Sequence, residues 1–552
     1  MSCYQKSVSW FGVTLCGALL ISAAAAQQSP ALDQAVDRAI ARENALLETL
    51  RTTTPVAETY IQDMMNDTDF GAVPVSDHYF LGRIDLSHGI TQTSYLPKDT
   101  ATARSFELFR HFFTVQYLPK GFAQMMLIDG AQFDRDHYDF EFLRREFLGD
   151  ARTLVFAVNP HKEAGAGRFK GNIWIEDKGF NIVRFNGTYS GSSAGRMFMH
   201  FDSWRTNAGP DLWLPSEVYS EESHLKDALR LHTLHFKALT KFWGYGRPEA
   251  RAADEFTNMV IQTSQVEDKS QAAADPSPVE SLRAWERLSE DNTLERIERA
   301  GLLSKQGSVD KVLNTVVNNL AVTNDLNLVP EVRVRVLLTT PLESFTVGRT
   351  IVISRGMLDT LPDEASLAAV LSHELAHIVL GHKTSTDFAF SDRLLFDDAG
   401  ILNHFRLART PAEEEAANDK AVKLLVNSPY KDKLGQAGLF LKALSHEANR
   451  LPSLIKPLVG GKIVEGQNVL RMSALMENAP QLQTTRVEQI AALPLGSRTR
   501  LDPWNDDLAM LATQGAPASS LSEKMPFEIA PVYLHLRYQD THDQVASTTG
   551  SN

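Results

Sequence analysis

Cysteine is almost missing from this chain. Its two copies, Cys3 and Cys16, both fall within the first 26 residues, so the remainder can form no disulfide and no thiolate metal site. Long apolar runs are missing too. Beyond residue 26 no stretch approaches the roughly 18 apolar residues a membrane helix needs. Positive charge is in deficit, with 55 Lys and Arg against 68 Asp and Glu. The resulting net charge of −13 excludes a protein that grips nucleic acid through a basic face, because neutralising phosphates takes clustered Lys and Arg. What is present is an ordinary globular composition, 43% hydrophobic and 22% charged over 552 residues, which is long enough for more than one core.

Lys6, the apolar run from Trp10 to Ser22 and the small residues Ala23 to Ala26 read as a secretory signal cleaved after Ala26. The expected product is therefore periplasmic or secreted, with no transmembrane segment. In residues 27–267, Leu32, Val36, Ile40, Leu47 and Leu50 recur at helical spacing up to the break at Thr52 to Pro55. Short apolar runs then alternate with turns. Phe169, Ile173 and Ile175 lead into Glu176-Asp-Lys-Gly179, and Phe180, Ile182, Val183 and Phe185 return, which is the pattern of an antiparallel meander. Its strand pattern, with Trp204 to Pro215, is similar to the curved half-barrels of bacterial lipoprotein-carrier proteins. His232 and His235 fall on opposite faces of a strand, so they cannot share an ion.

Residues 268–278, rich in Ala, Ser, Asp and Pro, form the expected linker. The following part, 279–538, reads as mainly helical with a small sheet. Helices are expected over Ser281 to Leu288, Val309 to Leu320, Leu434 to Leu451 and Leu482 to Leu493. Strands are expected over Val332 to Leu338 and Phe345 to Ile353, with a final one over Met525 to Tyr538. The tail 539–552 is expected to be disordered.

The chemistry concentrates in Leu371-Ser-His-Glu-Leu-Ala-His-Ile-Val-Leu-Gly-His382. On a helix, His373 and His377 lie one turn apart on one face and can reach a single ion, while Glu374 leans over it. So short a pattern also arises by chance, and a zinc peptidase needs a third protein ligand and an open fourth position. Pro411-Ala-Glu-Glu-Glu-Ala-Ala-Asn-Asp-Lys-Ala421, ahead of an apolar helical run, offers carboxylates.

Here Glu415-Ala-Ala-Asn-Asp419 resembles the Glu-x-x-Ala-Asp motif of the gluzincin zinc metallopeptidases of the CAAX prenyl endopeptidase, HtpX and Oma type, with Asn418 where Ala is usual. The resemblance covers residues 290 to 430. It implies an α+β fold in which a zincin-type metallopeptidase domain follows the β-rich part, with one Zn²⁺ per chain held by His373, His377 and Glu415. It also implies Asp419 as a carboxylate that orients a ligand histidine. Water on the metal would lose its proton to Glu374 and attack a peptide carbonyl. The family's downstream His-Pro-x-x-x-x-Arg element has no clear counterpart, apart from Ala479-Pro480 with Arg486. His446, Arg486 and Arg498 are therefore the candidates for stabilising the transition state. Arg349 to Ile353 is the candidate strand for pairing with substrate.

These features predict a zinc endopeptidase acting on proteins or peptides in an exported compartment. The rival expectation is a binding or chaperone-like protein that uses the β-rich domain and keeps a vestigial metal site.

Overall fold

The computed structural model describes residues 29–68, 71–97, 117–130, 132–191, 199–226, 233–246, 278–391, 400–485, 492–496, 498–511 and 527–539. The expected signal, all but the last residue of the expected linker, the tail beyond 539, His232 and Arg486 lie outside them.

The fold is α+β. Helix α1 (Pro30–Leu50) is followed by β1 (Val56–Asp67), β2 (Gly71–Asp85), β3 (Thr91–Ser94) and the short α2 (Pro119–Gln124). Seven strands follow: β4 (Tyr138–Leu148), β5 (Ala151–Pro160), β6 (Phe169–Glu176), β7 (Ile182–Tyr189), β8 (Phe201–Gly209), β9 (Leu212–Lys226) and β10 (Thr233–Trp243). All ten strands form one sheet in the order β3-β2-β1-β10-β9-β8-β7-β6-β5-β4. Strands β4 to β10 are a meander, and β10 turns back to pair antiparallel with β1, Val56 opposite Trp243.

Alternation sends Phe156, Ile173, Phe185 and Phe236 to one face of this sheet, and Val155, Trp174, Trp204 and Trp243 to the other. Both sets are buried, so the sheet needs a cover on each side. On the first face lies α1, through Val36, Ala39, Leu46 and Leu50. Its Glu43 takes two hydrogen bonds from the buried Arg205 guanidinium, at 2.6 and 2.7 Å.

The second face is covered by the C-terminal part of the chain. This contains α3 (Pro278–Arg299), α4 (Ser308–Thr323), β11 (Arg333–Leu337), β12 (Ser344–Val347), β13 (Thr350–Ser354), α5 (Arg355–Thr360), α6 (Glu364–Leu380), α7 (Pro411–Val426), α8 (Gly435–Glu447) and α9 (Pro452–Ile455). Four short strands close it: β14 (Val464–Glu465), β15 (Asn468–Val469), β16 (Thr499–Leu501) and β17 (Leu508–Met510). Trp174, Trp204 and Trp243 share one hydrophobic cluster with Leu302, Val336 and Leu371.

Polar contacts run through the same contact zone. Trp243 Nε1 donates to Gly301 O (2.6 Å), and Asp77 on β2 accepts from the backbone N–H groups of Ser453 and Leu454, both at 2.8 Å. Glu58 on β1 pairs with the buried Arg355 and accepts from Thr340 Oγ1 at 2.9 Å.

Two strand expectations are corrected. Phe345 to Ile353 is not one strand but a hairpin, because Gly348 adopts φ 56° and reverses the chain between β12 and β13. Strand β13 is then the middle strand, parallel to β11 and antiparallel to β12. Arg349 to Ile353 therefore has no free edge to offer a substrate, and β11 and β12 are the edge strands. Residues 527–539 form no ladder. They run extended across the large sheet, with Gln62 donating to Phe527 O (2.8 Å) and accepting from Ile529 N (2.9 Å).

Candidate metal centre

Helix α6 is delimited by its own chemistry. Asp363 caps its start by accepting from Ser366 N at 2.8 Å, and Gly381 ends it in the left-handed conformation at φ 71°. Between the caps, Ala368, Leu371, Leu375 and Ala376 are fully buried. The polar residues His373, Glu374 and His377 are carried into the same interior, at 2, 1 and 0% exposure.

Helix α7 starts with a capping box. Thr410 Oγ1 accepts from Glu413 N at 3.4 Å, and Glu413 accepts from Thr410 N at 3.0 Å. Its buried stripe is Ala417, Ala421, Leu424 and Leu425. Helical spacing carried back from that stripe arrives at Glu414, which therefore faces α6.

Three donor atoms converge between these helices. His373 Nε2 lies 3.0 Å from Glu414 Oε2 and 3.2 Å from His377 Nε2, and His377 Nε2 is 3.9 Å from Glu414 Oε2. A tetrahedral zinc with bonds near 2.0–2.1 Å places its ligand atoms about 3.3 Å apart, so the donor set fits such an ion in type and in spacing. Burial, followed by repulsion from the His373 ring, pushes the His377 imidazole down to about 2, which keeps it neutral as a metal ligand requires. Burial opposes ionisation of Glu414, but the His373 hydrogen bond and the Arg471 charge outweigh it and hold the carboxyl down at about 2. On the far side of the His377 ring, Nδ1 is 2.8 Å from His382 Nδ1, a contact that sets the tautomer.

Among the described residues, both hydrogen bonds to the Glu374 carboxylate fall on one oxygen. Oε1 accepts from Ser344 Oγ on the edge strand β12 (2.7 Å) and from Arg471 Nη1 (2.9 Å). Arg471 also donates to Glu414 through Nε (3.1 Å) and Nη2 (2.9 Å).

Several expectations change here. Glu415, expected as the third ligand, is exposed, because it lies one residue, hence about 100°, around α7 from the buried stripe. Glu414 stands beside the imidazoles instead. Asp419 is exposed as well, and His373 Nδ1 has no hydrogen-bond partner among the described residues. With Glu414 as the first letter of the motif, buried Ala417 falls where Ala is usual and Asn418 replaces the closing Asp.

Of the expected transition-state residues, His446 is 44% exposed beside Glu447. Arg498 donates to Leu361 O (2.6 Å) and Pro362 O (3.3 Å) at the opposite end of α6, which makes it a brace for the start of that helix. Neither reaches the centre. Arg471 and Glu414 were not singled out by the sequence, and Ser344 was given no role. For Glu414 the apolar stripe was the available signal, and for Arg471 it was a cation set inside the apolar run Val469-Leu470-Arg471-Met472.

Residues 305–416 match the model of peptidase family M48. The matched segment contains both histidines, Glu374 and Glu414, and spans about a fifth of the chain. No curated protein matches. Among solved structures, a LolA superfamily protein from Nitrosomonas europaea is similar at 11% identity and a TM-score of 0.19, over 37% of this chain and 91% of that one.

Proposed function

From the peptidase family M48 match over residues 305–416 as premise, we propose that this chain is a zinc-dependent metalloendopeptidase. In this reading His373, His377 and Glu414 hold the ion and Glu374 is the general base. The carrying observation is the convergence of two imidazole nitrogens and one carboxylate oxygen within 3.9 Å of one another, in a buried pocket next to Glu374. Zinc bound there supplies a Lewis acid that polarises a peptide carbonyl and acidifies water.

The rest falls to the chain itself. Ser344 and Arg471 occupy Glu374 Oε1, leaving Oε2 without a hydrogen bond among the described residues and free to take a proton from the attacking water and return it to the departing amine. Burial of both histidines keeps bulk water from competing for the donor atoms. Edge strand β12, rather than the central β13, is the element beside which an extended peptide would lie. Residues 1–26 carry the export part of the proposal. The rival binding-protein reading places an apolar ligand on the β-rich part, where most apolar side chains on both faces of the ten-stranded sheet pack, among the described residues, against other parts of the chain, while Leu143 and Phe147 of β4 stay exposed.

The test is Glu374→Gln in the full chain. It is expected to retain about one zinc per chain, in keeping with one four-coordinate site, and to lose hydrolysis of an unfolded protein such as casein, because an amide cannot cycle a proton. A variant that cleaves as fast as the parent overturns the mechanism.

A further inference from the structure

Arg471 is buried and reaches two carboxylates from different helices. Nε and Nη2 grip Glu414 on α7 as a fork, at 3.1 and 2.9 Å, while Nη1 reaches Glu374 on α6 at 2.9 Å and Ser344 O on β12 at 3.0 Å. Two carboxylates brought into one dry pocket repel, and a planar guanidinium is the side chain whose geometry can satisfy both at once.

The surroundings are shaped for it. Asn418, one turn after Glu414 on α7, donates to Leu470 O and accepts from Met472 N, both at 2.8 Å, and so holds the backbone on each side of Arg471. Met472 sits at φ 57°, a left-handed conformation costly for a residue with a side chain, which that Asn418 contact helps to hold. Gly461 makes the approach possible, since a Cβ there would lie 2.6 Å from Arg471 Nη2 and 3.1 Å from Glu414 Oε1.

We propose that Arg471 is a positioning residue that locks the metal-ligand carboxylate of Glu414 to the base Glu374, so that α6 and α7 present both in one fixed geometry. Asn418 and Gly461 are the parts of the chain that keep it there. The catalytic half of this inference rests on the metallopeptidase reading; the metal-binding half needs only Glu414 as a ligand.

The experiment strips the full-length protein with a chelator and titrates it with zinc against a chromophoric competitor, then measures kcat and KM on a peptide at saturating zinc. Arg471→Lys keeps the charge but loses the fork. It is expected to weaken zinc affinity about 10–100-fold, the usual effect of losing a group that orients a ligand, and to lower kcat with KM little changed. Gly461→Ala and Asn418→Ala leave every charge in place and are expected to move both quantities the same way by less. They decide the matter if Arg471→Lys does not fold. Zinc affinity and kcat at the parent's values in Arg471→Lys and in Gly461→Ala overturn the proposal. Weakened affinity in a protein whose parent cleaves nothing upholds the hold on Glu414 and sinks the peptidase reading instead.

Discussion

Glu414 and Glu415 differ by one position and by everything that matters chemically. The first faces two imidazoles across α6; the second faces solvent. Glu414→Gln is expected to abolish stoichiometric zinc, measured by elemental analysis after dialysis, while Glu415→Gln keeps it. The reverse result would restore the assignment made from the motif. At this scale the histidines and Glu374 were legible, because spacing along one helix is a local property. The third carboxylate was misplaced because the motif was matched by letters, although the stripe of Ala417, Ala421 and Leu424 was there to arbitrate. Arg471 was beyond reach, as it meets Glu374 across 97 positions of sequence and follows a strand only two residues long.

Among the elements, α6 could be read from the spacing of its histidines and α1 from its period. Strands β12 and β13 could not be separated, since alternation continues straight through Gly348. The approach of α7 to α6 depends on small residues. Ala417 and Ala421 are fully buried where the helices meet, and a longer side chain there would lever Glu414 away. Ala417→Leu is expected to cost about 1–3 kcal/mol by overpacking and to lower zinc affinity as well. Urea unfolding of the stripped protein reads the first effect, and chelator competition the second. Parent-like values in both would show that the helices have room to separate without disturbing the donors.

For the whole molecule, an antiparallel β-rich part followed by a helical part was legible in composition and turn spacing. Their mode of joining was not. Nothing local shows that the tryptophans of the large sheet serve as the floor for a second set of helices. Glu58 and Arg355, buried at 2 and 1% side-chain exposure and 297 positions apart, pair across that contact. Glu58→Gln leaves the guanidinium buried without its counter-charge and is expected to cost about 3–5 kcal/mol, read as a lower urea midpoint. A change below about 0.5 kcal/mol, the range of an ordinary surface substitution, would show that the pair contributes nothing.

The return of residues 527–539 across β1 and β10 bears on the order of biosynthesis. Gln62 finds its partners at Phe527 and Ile529 only after α6 and α7 have already been made. A nascent chain therefore carries His373, His377 and Glu414 through the ribosome before the sheet beneath them is fully sealed, and a message broken short of codon 527 would yield a polypeptide that has the histidines but lacks this late closure.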